Sequence, residues 1–328
     1  MGIRYLNKFL KENCPDSIRC INMADLSGKR IAVDISIYLY KYEADDTLLE
    51  SIYLMLSIFQ HYNVIPIFIF DGKPPIEKRE LLQKRKEDKA QAQDEYNKLK
   101  DKLSSNLDND DAQDIINTMD QLKKQFIHIS RDKIESVKDL IRAWGCTYYD
   151  APCEADELCA MLVTKKKVWA CMSEDMDMFV YGCTRVLRYL SLLNHTVVLY
   201  DTKEILDNLG ISQKELREIC VLSGTDYNYI SDNNSKNAPT LYKTLSYFKK
   251  YHNEKSDIDF YSWLLQKRDY IKDYDMLIKI YDMFDLNKNN NSKLKNFENI
   301  KIGNGPILKD EIKLIIQKEG FIFPLNRI

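Results

Sequence analysis

At 328 residues, with 45% hydrophobic and 30% charged side chains, the chain has the composition of an ordinary globular protein and is long enough for two domains or for one large domain carrying an insertion. No apolar run approaches the roughly 18 to 20 residues that cross a bilayer, and the opening MGIRYLNKFLKENC lacks the apolar core of a secretory signal, so the reading is an intracellular protein with no membrane partner. The net charge of −2 hides an asymmetry: residues 229–328 carry 17 Lys and Arg against 13 Asp and Glu, or +4, which leaves −6 on the preceding part.

In chain order the apolar runs RIAVD (30–34), VIPIFIFD (64–71), CTYYD (146–150), VWACM (168–172) and TVVLYD (196–201) read as strands. Residues 43–62 and 134–144 have helical periodicity between them, which predicts an α/β fold with a mainly parallel sheet between helical layers. Residues 73–125 hold no strand pattern and are dense in Lys, Glu, Asp and Gln. They read as charged helices joined near 104–111 and inserted between two strands. Beyond Tyr227 the pattern is helical and looser, interrupted at SDNNSKN (231–237) and NKNNNSK (287–293).

Eight cysteines form no C-x-x-C pair and four histidines complete no zinc spacing, so most cysteines read as small buried hydrophobes in a reducing compartment. The acids are more informative. Asp34 closes RIAVD, Asp71 closes VIPIFIFD, and Glu174, Asp175 and Asp177 follow VWACM. In a parallel sheet, loops from several strands converge beyond their carboxyl ends, and Glu154 and Asp156, at a helix start after CTYYD, reach the same edge. Asp226, in VLSGTDYN, is a seventh candidate.

Taken singly, each acid has a local explanation as a turn, cap or helix-dipole residue. The EDMD segment lacks the glycine and terminal Glu of a calcium loop. Together they do not: two carboxylates about 5 Å apart repel by roughly 3 kcal/mol at an effective dielectric near 20, so such a cluster requires cations or protons. All-oxygen ligands favour Mg²⁺ or Mn²⁺, and this many acids favour two ions, the arrangement that hydrolyses a phosphodiester by in-line displacement. Asp175 and Asp177 are expected to point the same way, as i and i+2 do in an extended segment.

Lys78 and Arg85 stand seven apart in KPPIEKRELLQKRKEDK, on one face if the segment is a single helix, with Lys73 and Lys89 nearby to grip phosphate. Tyr40, six residues after Asp34, reads on its own as a core aromatic.

The ordered set MGI, AVDISIYLY, FIFDGKPPIEKRELLQKR, YYDAPCEADELCAML, SEDMDMFVYG and VLSGTDY resembles the structure-specific 5' nucleases of the flap endonuclease family over residues 1–228. The resemblance implies a PIN-like nuclease core, a helical arch that single-stranded 5' DNA threads, and a helical C-terminal region that binds duplex. The implied divisions are 1–85 and 131–228 for the nuclease core, 86–130 for the arch and 229–328 for the C-terminal region. Carried over by position, the metal ligands are Asp34, Asp71, Glu154, Asp156, Asp175, Asp177 and Asp226, with Asp156 standing where Glu is usual. Lys78 and Arg85 match the pair that contacts the scissile phosphate, Tyr40 the aromatic on which a base stacks, and Gly2 the small residue that lets the terminus pass the site. Glu174 has no such assignment and is read as local.

Two stretches depart from the family. The glycine hairpin of a helix-two-turns-helix element, which holds duplex and often potassium, is replaced by ISDNNSKNAPTLYKTL, without those glycines; Lys236 and Lys243 within it and Lys249 and Lys250 just after it are left to attract phosphate. The sliding-clamp peptide pattern is not met at residues 317–324. The implied activity is a 5' flap endonuclease of DNA replication and repair, with a 5'-3' exonuclease or a non-catalytic relative as alternatives. The arch argues against the junction-resolving branch, and the full acid set argues against loss of catalysis.

Overall fold

The computed structural model describes residues 2–103, 109–228, 239–254, 257–267, 270–286, 288, 294, 296–297, 299–318 and 320. A seven-stranded sheet runs in the order β1-β7-β6-β5-β2-β3-β4, with β1 Ile18–Asn22, β2 Arg30–Asp34, β3 Ile65–Phe70, β4 Thr147–Asp150, β5 Ala170–Met172, β6 Arg185–Ser191 and β7 Thr196–Asp201. Strands β6, β5, β2, β3 and β4 are mutually parallel; β7 and β1 add an antiparallel margin. The expected sheet is thus present, with two further strands. β1 (IRCIN) sits at the edge with its residues half-buried or exposed, and β6 (RVLRYLS) carries two arginines, so neither shows the near-continuous apolar run of the central strands.

Alternation along β2 divides the two cores. Ile31 and Val33 face a cluster with Phe68 and Phe70, covered by α2 Ser36–Ala44, α3 Leu48–His61 and α6 Arg131–Ala143. Ala32, Ile67 and Ile69 face the other, covered by α7 Ala155–Thr164, α8 Asp177–Tyr181 and α10 Gln213–Ser223, with α9 Thr202–Leu209 lying beside β7. The helical signal at 43–62 resolves into two helices, because Asp46 turns through φ 53° between α2 and α3.

The strandless insertion forms α4 Arg79–Leu103 and α5 Asn109–Lys123, which pack on each other and bury Ala92, Met119 and Leu122. Its return end is tied to the α2–α3 turn and to α2: Lys123 meets Asp46 at 2.7 Å, Lys124 meets Asp45 at 3.1 Å, and Lys133 meets Glu43 at 2.6 Å. Past the core, α11 Leu241–Glu254, α12 Phe260–Lys267 and α13 Tyr274–Phe284 join the α10 side of the sheet, while a further helix, Lys309–Gln317, returns to α6 on the other. Among the described residues no helix is long and apolar enough to cross a membrane.

Candidate active site

Because β2, β3 and β5 are parallel, Asp34, Asp71 and the 173–177 segment leave the sheet at one edge. Asp34 is buried, with Oδ2 accepting from the Ser173 hydroxyl at 2.9 Å and Oδ1 from the Ser36 amide at 3.3 Å. Asp71 Oδ2 accepts from the Ser36 hydroxyl at 2.6 Å, and its Oδ1 from the Ala155 amide at 2.9 Å, which anchors the start of α7 to the end of β3. Glu154 is the N-cap residue of α7 and Asp156 lies in its first turn, buried.

The extended geometry expected for Asp175 and Asp177 is not what brings them together. Asp177 is the first residue of α8, preceded by Met176 at φ −76°, ψ −13°, and its amide donates to Asp175 Oδ1 at 2.9 Å. A turn closed by the aspartate's own side chain does the work that an i, i+2 strand pattern was expected to do. Gly2, at φ 75°, passes so close that a Cβ there would collide with the carboxylate oxygens of Asp175 and Asp177.

The electrostatics of this edge are those of crowded, dehydrated acids. Burial pushes Asp34 up to about 7, helped by Asp71 and Asp175. Burial, then the neighbouring Glu154, holds Asp156 well above the usual carboxylate range; burial and then Asp175, Asp226 and Asp156 do the same to Asp177. Asp175 is raised by burial against the Asp177 amide that stabilises its charge. Asp177 is fully buried, and neither of its carboxylate oxygens has a hydrogen-bond partner among the described residues.

Lys78 and Arg85 do not share one helix. Lys78 ends a 3₁₀ turn, Ile76–Lys78, and Arg85 lies in α4, yet both reach the same carboxylate: Arg85 Nη2 is 2.9 Å and Lys78 Nζ 3.7 Å from Asp226 Oδ2. Lys78 Nζ donates to Glu154 Oε1 at 2.7 Å. Burial alone would lower Lys78, but Asp156, Glu154 and Asp226 outweigh it and raise the ammonium above its ordinary value. Tyr40 is not a core residue: it is about half exposed, with Lys89 Nζ 5.2 Å from its ring. Lys243 lies on α11 against the Tyr270 ring at 5.2 Å, and Lys236 lies outside the described residues.

Four positions around the acids escaped the sequence pattern. Ser36 and Ser173 hold Asp34 and Asp71, and a serine after a strand carries no signal of its own. Tyr227 donates to Glu154 Oε2 at 2.7 Å. Arg188, buried on β6, donates to the Glu174 carbonyl at 2.9 Å and to Asn7 Oδ1 at 2.8 Å, and faces the Glu174 carboxylate at 3.4 Å, tying the acidic turn to α1 Leu6–Asn13. Glu174 is thereby occupied locally.

The XPG N-terminal domain model matches residues 1–92 and the XPG I-region model residues 145–226, together more than half of the chain and together spanning all seven acids. The chain belongs to the XPG family. Among XPG-family relatives, it is 32% identical to flap endonuclease 1 of Leishmania major over 249 residues, covering 69% of this chain and 60% of the relative. It is 30% identical to that of Lodderomyces elongisporus over 246 residues, covering 69% and 61%. The chain thus spans about 60% of the length of the curated relatives it matches. The XPG-family fold extends further than the sequence match: the catalytic core of Rad2 in complex with DNA substrate superposes with a TM-score of 0.64 at 22% identity, over 98% of this chain and 95% of that one.

XPG-family nucleases are divalent-metal dependent. Among the described residues, no three acids, histidines or cysteines stand ready around one point, and Lys78 and Arg85 pair with Glu154 and Asp226. The donor set nevertheless fits hard cations. It is all oxygen, Asp34, Asp156 and Asp177 are raised by burial and by neighbouring acids, and Asp177 keeps two buried oxygens without partners among the described residues.

Proposed function

We propose that this protein is a divalent-metal-dependent, structure-specific 5' nuclease that hydrolyses DNA phosphodiesters at the base of a 5' single-stranded flap. The observation that carries the proposal is the meeting, at one sheet edge, of buried acids in charge excess with two cations from the base of the α4–α5 insertion. Asp34, Asp71, Glu154, Asp156, Asp175, Asp177 and Asp226 would hold two Mg²⁺ ions, or Mn²⁺ in their place. Bound there, the metal supplies charge neutralisation at the phosphate and a more acidic attacking water.

The chain's own groups do the rest. Lys78, held where charge develops, and Arg85, more exposed at the mouth, receive the scissile phosphate. Gly2 leaves the room beside Asp175 and Asp177 that any side chain would fill. Tyr40 offers an exposed ring, backed by Lys89, on which a base can stack. Residues 86–130 form the arch, 1–85 and 131–228 the nuclease core, and 229–328 the C-terminal region that meets duplex DNA, where Lys236 and Lys243 attract phosphate. Potassium binding and a sliding-clamp partner have no support from the sequence, and much of both stretches, 229–238 and 321–328, falls outside the described residues. The protein would act where DNA is replicated and repaired.

The competing reading is a 5'-3' exonuclease with the same site. Cleavage of end-labelled single-flap, double-flap, gapped and Holliday-junction DNA with Mg²⁺ separates them: incision at the flap junction supports the flap endonuclease, and stepwise release of mononucleotides supports the exonuclease. No cleavage of any of them refutes both.

A further inference from the structure

A chain of side chains runs from the core into the acid cluster behind Lys78. Tyr227 follows Asp226 in a turn fixed by the Thr225 hydroxyl, which accepts from the Tyr227 amide at 3.1 Å. The Tyr227 hydroxyl is 2.7 Å from Glu154 Oε2, while Glu154 Oε1 accepts from Lys78 Nζ at 2.7 Å. The same ammonium stands 4.9 Å from the centroid of the Tyr227 ring. Behind, the Tyr181 hydroxyl is 3.3 Å from that of Tyr227, and Phe284 of α13 packs against both rings, at 4.7 and 5.4 Å.

Counting protons gives the chain a direction. A carboxylate paired with an ammonium can only accept, so Tyr227 spends its single proton on Glu154. The remaining lone pairs of Tyr227 then accept from Tyr181. Both oxygens of Glu154 are therefore assigned, Oε2 to the tyrosine and Oε1 to the lysine, and one aromatic side chain sets both members of the Lys78–Glu154 pair: the carboxylate through its hydroxyl and the ammonium through its ring face.

We infer that Tyr227 is a positioning residue, which aims Glu154 and Lys78 at the reacting phosphate, and that Tyr181 supports it from behind. The inference rests on the nuclease reading of the same site. Core tyrosines elsewhere in the fold serve packing alone, Tyr261 donating to the Glu218 carbonyl and Tyr38 and Tyr42 having no hydroxyl partner among the described residues, whereas Tyr227 has a lysine beside its ring and an acid at its tip.

The test compares Tyr227→Phe, Tyr181→Phe, Lys78→Met and the double variant Tyr227→Phe/Lys78→Met, in the full-length protein. Tyr227→Phe keeps the ring and is expected to lose about 10-fold in kcat with KM for flap DNA unchanged, the scale of a hydrogen bond to a charged group. Acting through Lys78, it should add little to Lys78→Met, so the double variant falls near the single lysine variant. Without DNA, Mn²⁺ binding followed by electron paramagnetic resonance should weaken about 3-fold in Tyr227→Phe, as Glu154 loses its orientation, and less in Tyr181→Phe. This arm still tests Tyr227 if the wild type proves not to cut flaps, a result that would refute the nuclease reading alone. Full additivity in the double variant, wild-type kcat and Mn²⁺ binding in Tyr227→Phe, or equal losses in the two tyrosine variants would overturn the inference, the last because it would mark both hydroxyls as simple core structure.

Discussion

At the carboxyl edge of the sheet Asp177 keeps two buried oxygens without a described partner, whereas on α4 the Lys98 ammonium and the Asp94 carboxylate meet one turn apart at 2.5 Å with both side chains about two-thirds exposed. The two regions are similarly rich in charge, and burial separates them. Exposed helical charges exchange water for a partner at almost no gain, while acids packed beneath a sheet edge raise one another's pKa and destabilise the fold that holds them. A fold that retains such a cluster does so for something other than stability, and the comparison predicts opposite responses to substitution in the two regions.

The largest change in activity is expected at Asp177. Asp177→Asn should abolish cleavage with Mg²⁺ and leave DNA binding largely intact, yet raise the metal-free stability at pH 8 by about 1–3 kcal/mol, because it removes a buried acid that burial and its acidic neighbours make costly to ionise. Denaturant unfolding in EDTA reads the second effect. A variant that is both inactive and less stable would show that the carboxylate is structural, and wild-type turnover would remove Asp177 from the metal site.

Lys78→Ala comes next. It strips Glu154 and Asp226 of a buried cation, and unfolding should come earlier by roughly 3–5 kcal/mol. In the fraction that folds, kcat should drop more than substrate affinity if the ammonium meets charge developing in the transition state. A loss confined to affinity would reduce Lys78 to a phosphate clamp like the more exposed Arg85.

The sign of the pH dependence sharpens the same contrast. Asp34 is raised by burial and by Asp71 to about 7, from an ordinary 3.8. Between those values the folded chain holds a proton that the unfolded chain has lost, so stability falls as pH rises, by roughly 4 kcal/mol from this group across the window. In EDTA the unfolding midpoint is therefore expected to be higher at pH 5 than at pH 8, with Mg²⁺ restoring stability at pH 8. Rising stability from pH 5 to 8 without metal would contradict the raised pKa.

How much of this was legible in the residues depends on whether a side chain announces its surroundings. Asp34 and Asp71 were readable because an acid that ends an apolar strand of a parallel sheet has only one edge to face. The 175–177 pair was readable as a site but not as a shape: its geometry comes from an amide closing on its own neighbour's carboxylate, which an alternation rule does not contain. Ser36, Ser173, Tyr227 and Arg188 were not readable, since their meaning lies in partners distant in the sequence, such as Arg188 bridging Glu174 to Asn7. β1 and β6 were missed because half-exposed strands bearing arginine lose the continuous apolar run.

The smallest effect is expected at the exposed ion pair on α4. Lys98→Ala removes an ammonium whose raised pKa comes from the hydrogen bond to Asp94 and then from its charge, both in the open. Solvent replaces such a partner, and the helix gains in propensity what it loses in pairing, because alanine is the better helix former at an exposed position. The unfolding midpoint should stay where it is, with and without 1 M NaCl, and the pH profile of stability should be unaltered. Movement of that midpoint would mean that the charges of α4 are coupled to the packing of α5, and that burial is not what divides the two regions.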